Sequence, residues 1–439
     1  AGAQVSFTAT ASNFPTVWNW DFGGGATPNT ATGAAPQVTL GAAGVYNGTV
    51  TATNAAGSST PFPFTYTVAT QPTWVAHTLD GPRPFNVVSG LLAGKPAFAY
   101  SQINGNSSCT LYYATTPVPT AASHWRSSPM PTTGQGYPQS LVEVHGRAAL
   151  TWFSIQNLDY LVEILQARVT EPASTADWRF LVLDTVVPSN ASSCVADYNG
   201  RMAVLYNNAV ALRAALATVD APGTIGEWSI HTAVGNVAPH GLPSLQVING
   251  RLVASFQVVS PNSTDNVRYL RATTATPTGT DSWTHHSIGY CNTATGSHLF
   301  LAGGVPTVAF VKNASHTAEG ETPGIWVARS AVLEPSVTAD WTQHQVTTSP
   351  VALPDEWDAD LHGGRLALAY LTAESPTLYA VRALAAAPAS TADYRAQALD
   401  GPDAALTSTA LFPGGDRATV LRYRYNTQLT EVLAANLPW

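Results

Sequence analysis

An aromatic residue recurs at intervals of about fifty residues along most of the chain, and this repeat restricts the possible folds more than any other feature. Each recurrence opens a short run in which apolar and polar residues alternate, as in residues 74–79, and this period is typical of a β-strand. The seven positions, separated by 51, 53, 50, 55, 58 and 53 residues, are Trp74, Trp125, Trp178, Trp228, Trp283, Trp341 and Tyr394. Such a period predicts a series of similar supersecondary units.

Three more strands follow the aromatic strand in each unit, and a glycine turn separates the first two, as in residues 243–256. A single four-stranded sheet cannot bury both faces until several such sheets stack around an axis, so the repeat predicts a seven-bladed β-propeller. The run 74–79 has no sheet of its own, and the last unit lacks an aromatic strand. We therefore expect 74–79 to pair beside residues 428–435 and to close the ring.

The first seventy residues lack the repeat and consist of short alternating runs, which predict a small antiparallel sandwich. The segment Trp18-Asn-Trp-Asp-Phe-Gly-Gly-Gly25, followed by Gly44-Val-Tyr46, resembles the PKD domain, an immunoglobulin-like module of surface and secreted proteins. The resemblance implies a location outside the cell and no chemistry. The family usually has a second acidic residue where this chain has Gly24, so we expect Asp21 to brace its own turn.

The predicted fold class is therefore all-β, with a PKD-like sandwich in residues 1–70 and the propeller in residues 71–439. The order of small-residue strand, Gly-Lys or Gly-Arg turn and strand ending in Tyr, as in Gly94-Lys-Pro-Ala-Phe-Ala-Tyr100, resembles sialidase-like propeller repeats. The resemblance implies architecture only, because the chain lacks the Asp box of those repeats.

The composition excludes several classes of partner. Only 10% of the residues are charged, the net charge is −8, and the 19 basic residues form no cluster, so we expect no nucleic acid partner. No apolar run approaches the roughly 18 residues that span a bilayer. The low charge and the many small polar residues are typical of an exported protein, so we expect an extracellular or cell-surface location.

The cysteines and the repeated histidines are expected to have structural roles. Cys109, Cys194 and Cys291 lie far apart without a CxxC pair, which argues against zinc and redox motifs but leaves open whether two of them form a disulfide. Four histidines follow a repeat aromatic residue by three positions, namely His77, His231, His286 and His344. Because different blades hold them apart, we expect a repeated hydrogen-bonding or packing role and no shared metal. The repeat aromatic residues are expected to form the core between blades.

One dense acidic group interrupts the repeat. Asp358 and Asp360, two residues apart on a strand, point to the same face, and with Asp355 they could form an oxygen-rich cation site. Calcium is the only cofactor that this group suggests, and a solvated channel rim is the alternative. Trp357 beside the acids, and His298 and Ser244 at comparable places in other units, complete our ligand-binding candidates with Asp358.

No catalytic constellation is recognisable. The segments expected to line the channel contain no arginine for a carboxylate clamp, and no phosphate loop, nucleophile elbow or zinc-protease motif is present. We therefore expect a non-catalytic binding or structural protein, not an enzyme, that contacts a glycan, a surface protein or copies of itself. The alternative is a carbohydrate-active hydrolase or lyase that uses the acidic group at residues 355–360.

Overall fold

The fold was obtained as a computed structural model, and the chain divides into two compact units, Ala1–Thr73 with Asn436–Trp439, and Trp74–Ala435. The structure describes residues 4–68, 75–79, 84–102, 109–132, 134–156, 159–186, 192–259, 266–291, 296–312, 321–347, 357–372, 377–399, 406–412, 417–424 and 429–436. Regular structure in these residues is almost entirely β-strand, so the all-β prediction is confirmed.

Eight strands in two antiparallel sheets form the first unit. They are β1 Gln4–Ser6, β2 Val17–Asp21, β3 Ala26–Thr27, β4 Thr30–Thr32, β5 Gln37–Leu40, β6 Gly44–Asn54, β7 Gly57–Ser58 and β8 Phe62–Val68. One sheet has the order β1-β5-β3, and the other has the order β4-β2-β6, with β7 and β8 both paired to β6. Alternation along these strands places one face of each sheet in a shared core, as expected for a sandwich.

An aromatic cluster fills this core. Trp20 and Phe22 are 5% and 0% exposed, and the Trp20 Nε1–H donates to the Gly33 carbonyl oxygen at 2.8 Å. The Oδ1 atom of Asp21 accepts the Gly23 N–H at 2.9 Å and an Asn29 Nδ2–H at 3.0 Å. The prediction that Asp21 braces its own turn is confirmed.

In the described residues of the second unit, twenty-eight strands form seven four-stranded sheets, called blades 1 to 7 here. The first strand is β9 Val75–Leu79. Blade 1 contains β10 Pro84–Leu92, β11 Lys95–Gln102, β12 Cys109–Ala114 and β13 Trp125–Met130. Blade 2 contains β14 Gln135–Val144, β15 Arg147–Gln156, β16 Asp159–Ala167 and β17 Trp178–Val186. Blade 3 contains β18 Ser193–Tyr198, β19 Arg201–Asn208, β20 Ala211–Ala217 and β21 Trp228–Gly235. Blade 4 contains β22 Pro239–Ile248, β23 Arg251–Val258, β24 Asn266–Ala272 and β25 Trp283–Tyr290, and blade 5 contains β26 Ser297–Ala302, β27 Val305–Lys312, β28 Gly324–Ser330 and β29 Trp341–Gln345. Blade 6 contains β30 Trp357–His362, β31 Arg365–Leu371, β32 Leu378–Ala383 and β33 Tyr394–Ala398. Blade 7 contains β34 Leu406–Phe412, β35 Arg417–Arg424 and β36 Leu429–Asn436, together with β9.

The blades follow one another around an axis, as in a β-propeller. The first strand of each blade contacts the first strand of the next, and β34 of blade 7 contacts β10 of blade 1. The fourth strand of blade 7 comes from the other end of the unit, because β9 pairs antiparallel with β36, from Leu79 beside Thr430 to Val75 beside Ala434. Blade 7 thus joins the two ends of the ring without a covalent bond.

Two-residue turns set the register of the first hairpin in blades 1 to 6. In blades 3 and 4 they are Asn199-Gly200 and Asn249-Gly250, with φ values of 56°, 79°, 51° and 66°. Positive φ at both central residues defines a type I′ turn, which favours Asn-Gly and matches the twist of the strands. The same turn in successive blades places equivalent residues at equivalent heights along the ring axis.

The repeat aromatic residues in the described ranges lie in the core between blades, as predicted, and Trp74 lies outside those ranges. Trp125, Trp178, Trp228, Trp283 and Trp341 are only 4–8% exposed. Hydrophobic clusters extend across blade boundaries, and one of them joins Leu205 of blade 3 to Phe256 and Trp283 of blade 4. The three cysteines are buried and form no disulfide. In the described part of the chain, no helix has the length and hydropathy of a membrane span.

A hydrogen bond joins the aromatic residue of one blade to the outermost strand of the preceding blade. Its partner is the residue three positions after that strand's own aromatic residue. The pairs are Trp283 Nε1–H to His231 Nε2 (3.2 Å), Trp341 Nε1–H to His286 Nε2 (2.9 Å), Tyr394 hydroxyl with His344 Nε2 (2.8 Å) and Trp178 Nε1–H to Ser128 Oγ (3.1 Å). The predicted hydrogen-bonding role of the histidines is confirmed for these three, and the side chain of His77 lies outside the described residues.

The boundary between blades 2 and 3 departs from this arrangement. Leu181 occupies the acceptor position, and the buried Nε1–H of Trp228 has no hydrogen-bond partner. A different set of bonds joins these two blades, because Asp184 Oδ2 accepts from Arg213 Nη1 at 2.6 Å and from the Tyr206 hydroxyl at 2.8 Å. A polar group on the same outermost strand therefore connects the two sheets.

Short 3₁₀ helices precede the repeat aromatic residues. They are Ala122–His124, Thr175–Asp177, Ile225–Glu227, Thr280–Ser282, Thr338–Asp340 and Thr391–Asp393. In four of them the last acidic residue accepts backbone N–H bonds at the start of the turn, as Asp177 does from Ala173 and Ser174 at 2.9 and 2.8 Å. These bonds favour the charged carboxylate and lower the pKa of Asp177.

His286→Ala is expected to destabilise the propeller by about 1–3 kcal/mol, because it leaves the Nε1–H of buried Trp341 without an acceptor. His285→Ala is the matched control, since it removes an exposed imidazole from the adjacent position on the same strand. Urea unfolding followed by tryptophan fluorescence measures both. Equal losses in the two variants would contradict a specific role for this hydrogen bond.

The propeller is expected to lose stability as the pH falls below about 6.5. Burial lowers the pKa of His231, His286 and His344, assisted by Arg213 at His231, by His285 at His286 and by Arg329 at His344, and opposed by Asp340 and Asp393 at the last two. These histidines therefore bind protons more readily in the unfolded chain than in the folded chain near pH 6.5. The stability that the neutral histidines contribute to the fold is complete above that pH and decreases below it. Melting temperatures measured from pH 7.5 to 5 should fall less steeply when all three histidines are replaced by glutamine.

Candidate functional site

The hub is the cavity at the centre of the ring, and its volume is about 980 Å³. In the described part of the chain, the first strands of blades 1 to 6 line it. The side chains of β34 lie outside the described residues, and the sequence of that strand, Leu-Thr-Ser-Thr-Ala-Leu-Phe, contains no ionisable residue. Converging polar groups in a cavity of this size are typical of a ligand site.

The hairpin registers place one residue of the first strand in each of blades 2 to 6 at the same height in the hub. Ser140 pairs with Thr151, Cys194 with Leu205, Ser244 with Ser255, His298 with Ala309 and Asp358 with Ala369. Each partner lies five residues after the second residue of its own turn. The residues that the sequence placed at comparable positions therefore form one layer of the hub. The side chains of this layer are small in blades 2 to 4, and they are an imidazole in blade 5 and a carboxyl group in blade 6.

Two serines of this layer hold adjacent blades together. Ser140 Oγ accepts the Val195 N–H at 3.3 Å, and Ser244 Oγ accepts the Leu299 N–H at 3.0 Å. Each bond joins one first strand to that of the next blade. The ligand-binding candidate Ser244 thus also belongs to the wall of the hub.

Asp358 connects blade 6 to blade 1 across the hub. Its Oδ2 atom accepts a hydrogen bond from Ser89 Oγ at 3.0 Å, and its Oδ1 atom accepts the Ala359 N–H at 2.8 Å. The side chain is 17% exposed. Because 269 residues separate Ser89 from Asp358, ring closure creates this contact.

His298 of blade 5 completes the group around Asp358. Its Nδ1 atom lies 3.6 Å from Asp358 Oδ1, which is longer than a hydrogen bond. Burial lowers the pKa of His298, and the nearby Asp358 opposes this effect only in part. The imidazole is therefore neutral at neutral pH, and its contact with Asp358 is polar and not an ion pair.

Trp357 supports the ring of His298 from the side. It is 4% exposed, and the two rings meet edge to face with their centroids 4.6 Å apart. The indole therefore fixes the orientation of the imidazole and presents little surface on which a sugar could stack.

Asp360 is the second carboxyl group of β30. Desolvation in the hub, with a smaller contribution from the Asp358 charge, raises its pKa to about 7, although the Leu361 N–H bond to Oδ1 at 2.6 Å acts in the opposite direction. Asp360 can therefore gain or lose a proton near neutral pH, as a general acid or base must.

The predicted cation site is only partly covered by the described residues, so it stays a prediction. No group of three His, Cys, Asp or Glu side chains within the described ranges could hold a metal ion. Asp358 and Asp360 lie together in the hub, and Asp355 lies outside the described residues.

The hub also contains residues that we did not single out from the sequence. Ser89 belongs to β10 and is separated from Asp358 by 269 residues along the chain. Only its position on the first strand of a blade indicated that it would line the hub. Gln139 accepts a hydrogen bond from Ser193 Oγ at 2.6 Å between blades 2 and 3. A serine and a glutamine in a Ser-rich chain carry no signal of their own, and their role follows from the register.

The sandwich region matches the PKD domain family over residues 1–68, and no curated protein matches the chain. Among solved structures, the WD40 domain of Toxoplasma gondii coronin aligns with 84% of this chain and 86% of its own, at 8% identity and a TM-score of 0.47. The subtype N10 neuraminidase-like protein of A/little yellow-shouldered bat/Guatemala/060/2010 aligns with 82% of this chain and 98% of its own, at 12% identity and a TM-score of 0.36. An α-L-arabinofuranosidase from Lactobacillus brevis aligns with 57% and 92%, at 9% identity and a TM-score of 0.35.

The prediction that the chain is not an enzyme is wrong as a conclusion from missing motifs. Solved structures that align with this chain are in large part glycoside-cleaving enzymes, among them the Lactobacillus brevis α-L-arabinofuranosidase. The absence of a familiar motif by itself excludes no activity. The low identity and TM-score mean that these alignments also establish none.

Proposed function

We propose that this chain is an extracellular carbohydrate-binding protein that holds a glycan in the hub. A PKD domain at residues 1–68 supports a location outside the cell, because such modules belong to surface and secreted proteins. The observation that carries the proposal is the position of Asp358 in the hub, where its carboxylate accepts a hydrogen bond from Ser89 of blade 1 and lies 3.6 Å from Nδ1 of His298 of blade 5. Sugar hydroxyl groups are good donors to such a carboxylate, and the cavity is large enough to hold an oligosaccharide.

Asp358→Asn is expected to weaken glycan binding by at least tenfold, because the neutral amide loses the charge that strengthens these hydrogen bonds. Ligands identified on a glycan array would be measured by isothermal titration with monomeric protein. Asp281→Asn is the matched control, since it removes an exposed carboxylate from the 3₁₀ helix of blade 4. Unchanged affinity in Asp358→Asn would exclude the hub as the binding site.

Measurement on monomers also separates this proposal from two others. A structural protein that contacts copies of itself would bind no glycan as a monomer and would assemble with increasing concentration. A protein that contacts a surface protein would bind that partner after glycans have been removed enzymatically. Glycan binding by the monomer, lost in Asp358→Asn, supports only the carbohydrate proposal.

A second candidate function is glycoside hydrolysis in the same cavity. Asp358 and Asp360 lie two residues apart on β30, and desolvation in the hub raises the pKa of Asp360 to about 7. Two carboxyl groups whose environments separate their protonation states are the basis of glycosidase acid–base chemistry. If release of reducing sugar is detected, Asp360→Asn should abolish it, and persistence of turnover in that variant would contradict this candidate.

A further inference from the structure

We propose that the glycan held in the hub carries a primary ammonium group, as an amino sugar does, and that Asp360 binds this group. The inference rests on the proposed function, because it specifies the ligand of the same cavity. It depends on the balance of charge in the hub, on the surroundings of Asp360 and on the number of ligand atoms that the site offers.

In the described part of the hub, the charge has one sign. Among the lining residues in the described ranges, the carboxyl and imidazole side chains are Glu143, Asp197, His298, Asp358 and Asp360, and there is no lysine or arginine. Two of the acids stabilise turns, since Glu143 Oε2 accepts the Ala93 N–H and Asp197 Oδ1 accepts the Gly200 N–H. The remaining two carboxyl groups face the cavity together on β30.

The surroundings of Asp360 contain no positive charge among the described residues. Its one hydrogen bond is from the Leu361 N–H, and the neighbouring charged group is Asp358. His298 is neutral, and β34 on the other side contains no ionisable residue in its sequence. A carboxylate held at partial burial beside another carboxylate is unfavourable by itself, and an incoming cation relieves this cost.

The kind of cation follows from the number of available ligands. Calcium takes six to eight oxygen atoms, and the described residues contain no group of three acidic or metal-binding side chains that could supply them. An ammonium group needs few acceptors, since it donates three hydrogen bonds, and the hydroxyl groups of the same sugar ring can occupy the remaining polar lining. An anionic sugar, such as a uronate, would be repelled by both acids.

Two trisaccharides of equal length test the inference, the glucosamine trimer and its N-acetylated counterpart, because they differ chiefly in charge. We expect the wild-type protein at pH 7 to bind the glucosamine trimer at least tenfold more tightly in isothermal titration. Asp360→Asn should remove the difference while it leaves binding of the N-acetylated trimer within about twofold. Asp281→Asn should behave as the wild type.

The outcomes distinguish this inference from the proposed function. Equal binding of the two trimers, tighter binding of the N-acetylated trimer, or a preference that survives in Asp360→Asn would overturn the ammonium inference and leave carbohydrate binding in the hub intact. If no sugar of any charge binds the wild-type protein, the proposed function itself fails. Preferential binding of a uronate oligomer would also overturn the inference, because it requires a positively charged hub.

Discussion

A chain that starts at residue 80 should fail to form a stable propeller, whereas a chain that starts at residue 69 should melt like the propeller of the full chain. The shorter deletion removes the sandwich strands and keeps β9. The longer deletion also removes β9, the fourth strand of blade 7. The edge of β36 would then expose unpaired backbone N–H and C=O groups, which favours aggregation.

The loss of side-chain packing adds to this effect. Leu79 is 4% exposed and packs with Phe98, Tyr100 and Trp125 of blade 1. Leu79→Ala alone is expected to cost about 2–5 kcal/mol, as for other buried leucines, so removal of the whole strand should cost more. The strand thus stabilises the ring through both the ladder of blade 7 and the core of blade 1.

Circular dichroism melting curves and size-exclusion chromatography measure both deletions. The full chain and Thr78→Ala, a substitution on β9 that keeps its backbone pairing with Glu431, are the controls. Equal melting temperatures for the chains that start at 69 and at 80 would show that the ring does not depend on closure by β9.

Asp360→Asn should stabilise the protein at pH 8 by on the order of 2 kcal/mol and should have no effect on stability near pH 4. The pKa of Asp360 is about 7 in the folded chain, against an ordinary value of 3.8. Between these values the folded state binds the proton more tightly than the unfolded state, so stability decreases as the pH rises through this window. The full cost of the charged form is present above pH 7, and an amide avoids it.

Urea unfolding at pH 4, 6 and 8 measures this effect. Asp281→Asn, which removes an exposed carboxylate, should leave the pH dependence unchanged. A gain in Asp360→Asn that is equal at all three pH values would contradict the role of charge. A side chain that destabilises the fold and faces a cavity is typical of a functional site, because binding and stability impose different requirements on the same group.

Much of the fold follows from local sequence patterns. Alternation predicts the strands, Asn-Gly pairs such as Asn249-Gly250 predict the turns, and the spacing of the tryptophans predicts the repeated sheets. The histidines three residues after the aromatic residues are also recognisable, because a repeated polar residue beside a buried indole indicates a repeated hydrogen bond. The exception at Leu181 is visible in the sequence as well, but the compensating contact of Asp184 with Arg213 and Tyr206 is not.

The candidate site could be predicted only in part. Asp358, Asp360 and His298 stand out as ionisable residues in a chain with few charges, and the shared layer of Asp358 and His298 follows from the turns. The contact of Asp358 with Ser89, the position of Trp357 behind His298 and the raised pKa of Asp360 depend on which blades meet in the hub. These distances and burials depend on how the sheets pack, and no pattern within a single blade contains that information.

The sequence by itself determined the strand pattern, the turn types and the repetition of the sheets, because these depend on interactions between residues close along the chain. The tertiary structure alone decided that residues separated by most of the chain share one cavity, and that the pKa of a carboxyl group in it is raised to about 7. Both outcomes arise when the ring closes, because closure brings distant first strands together and removes water from the side chains between them.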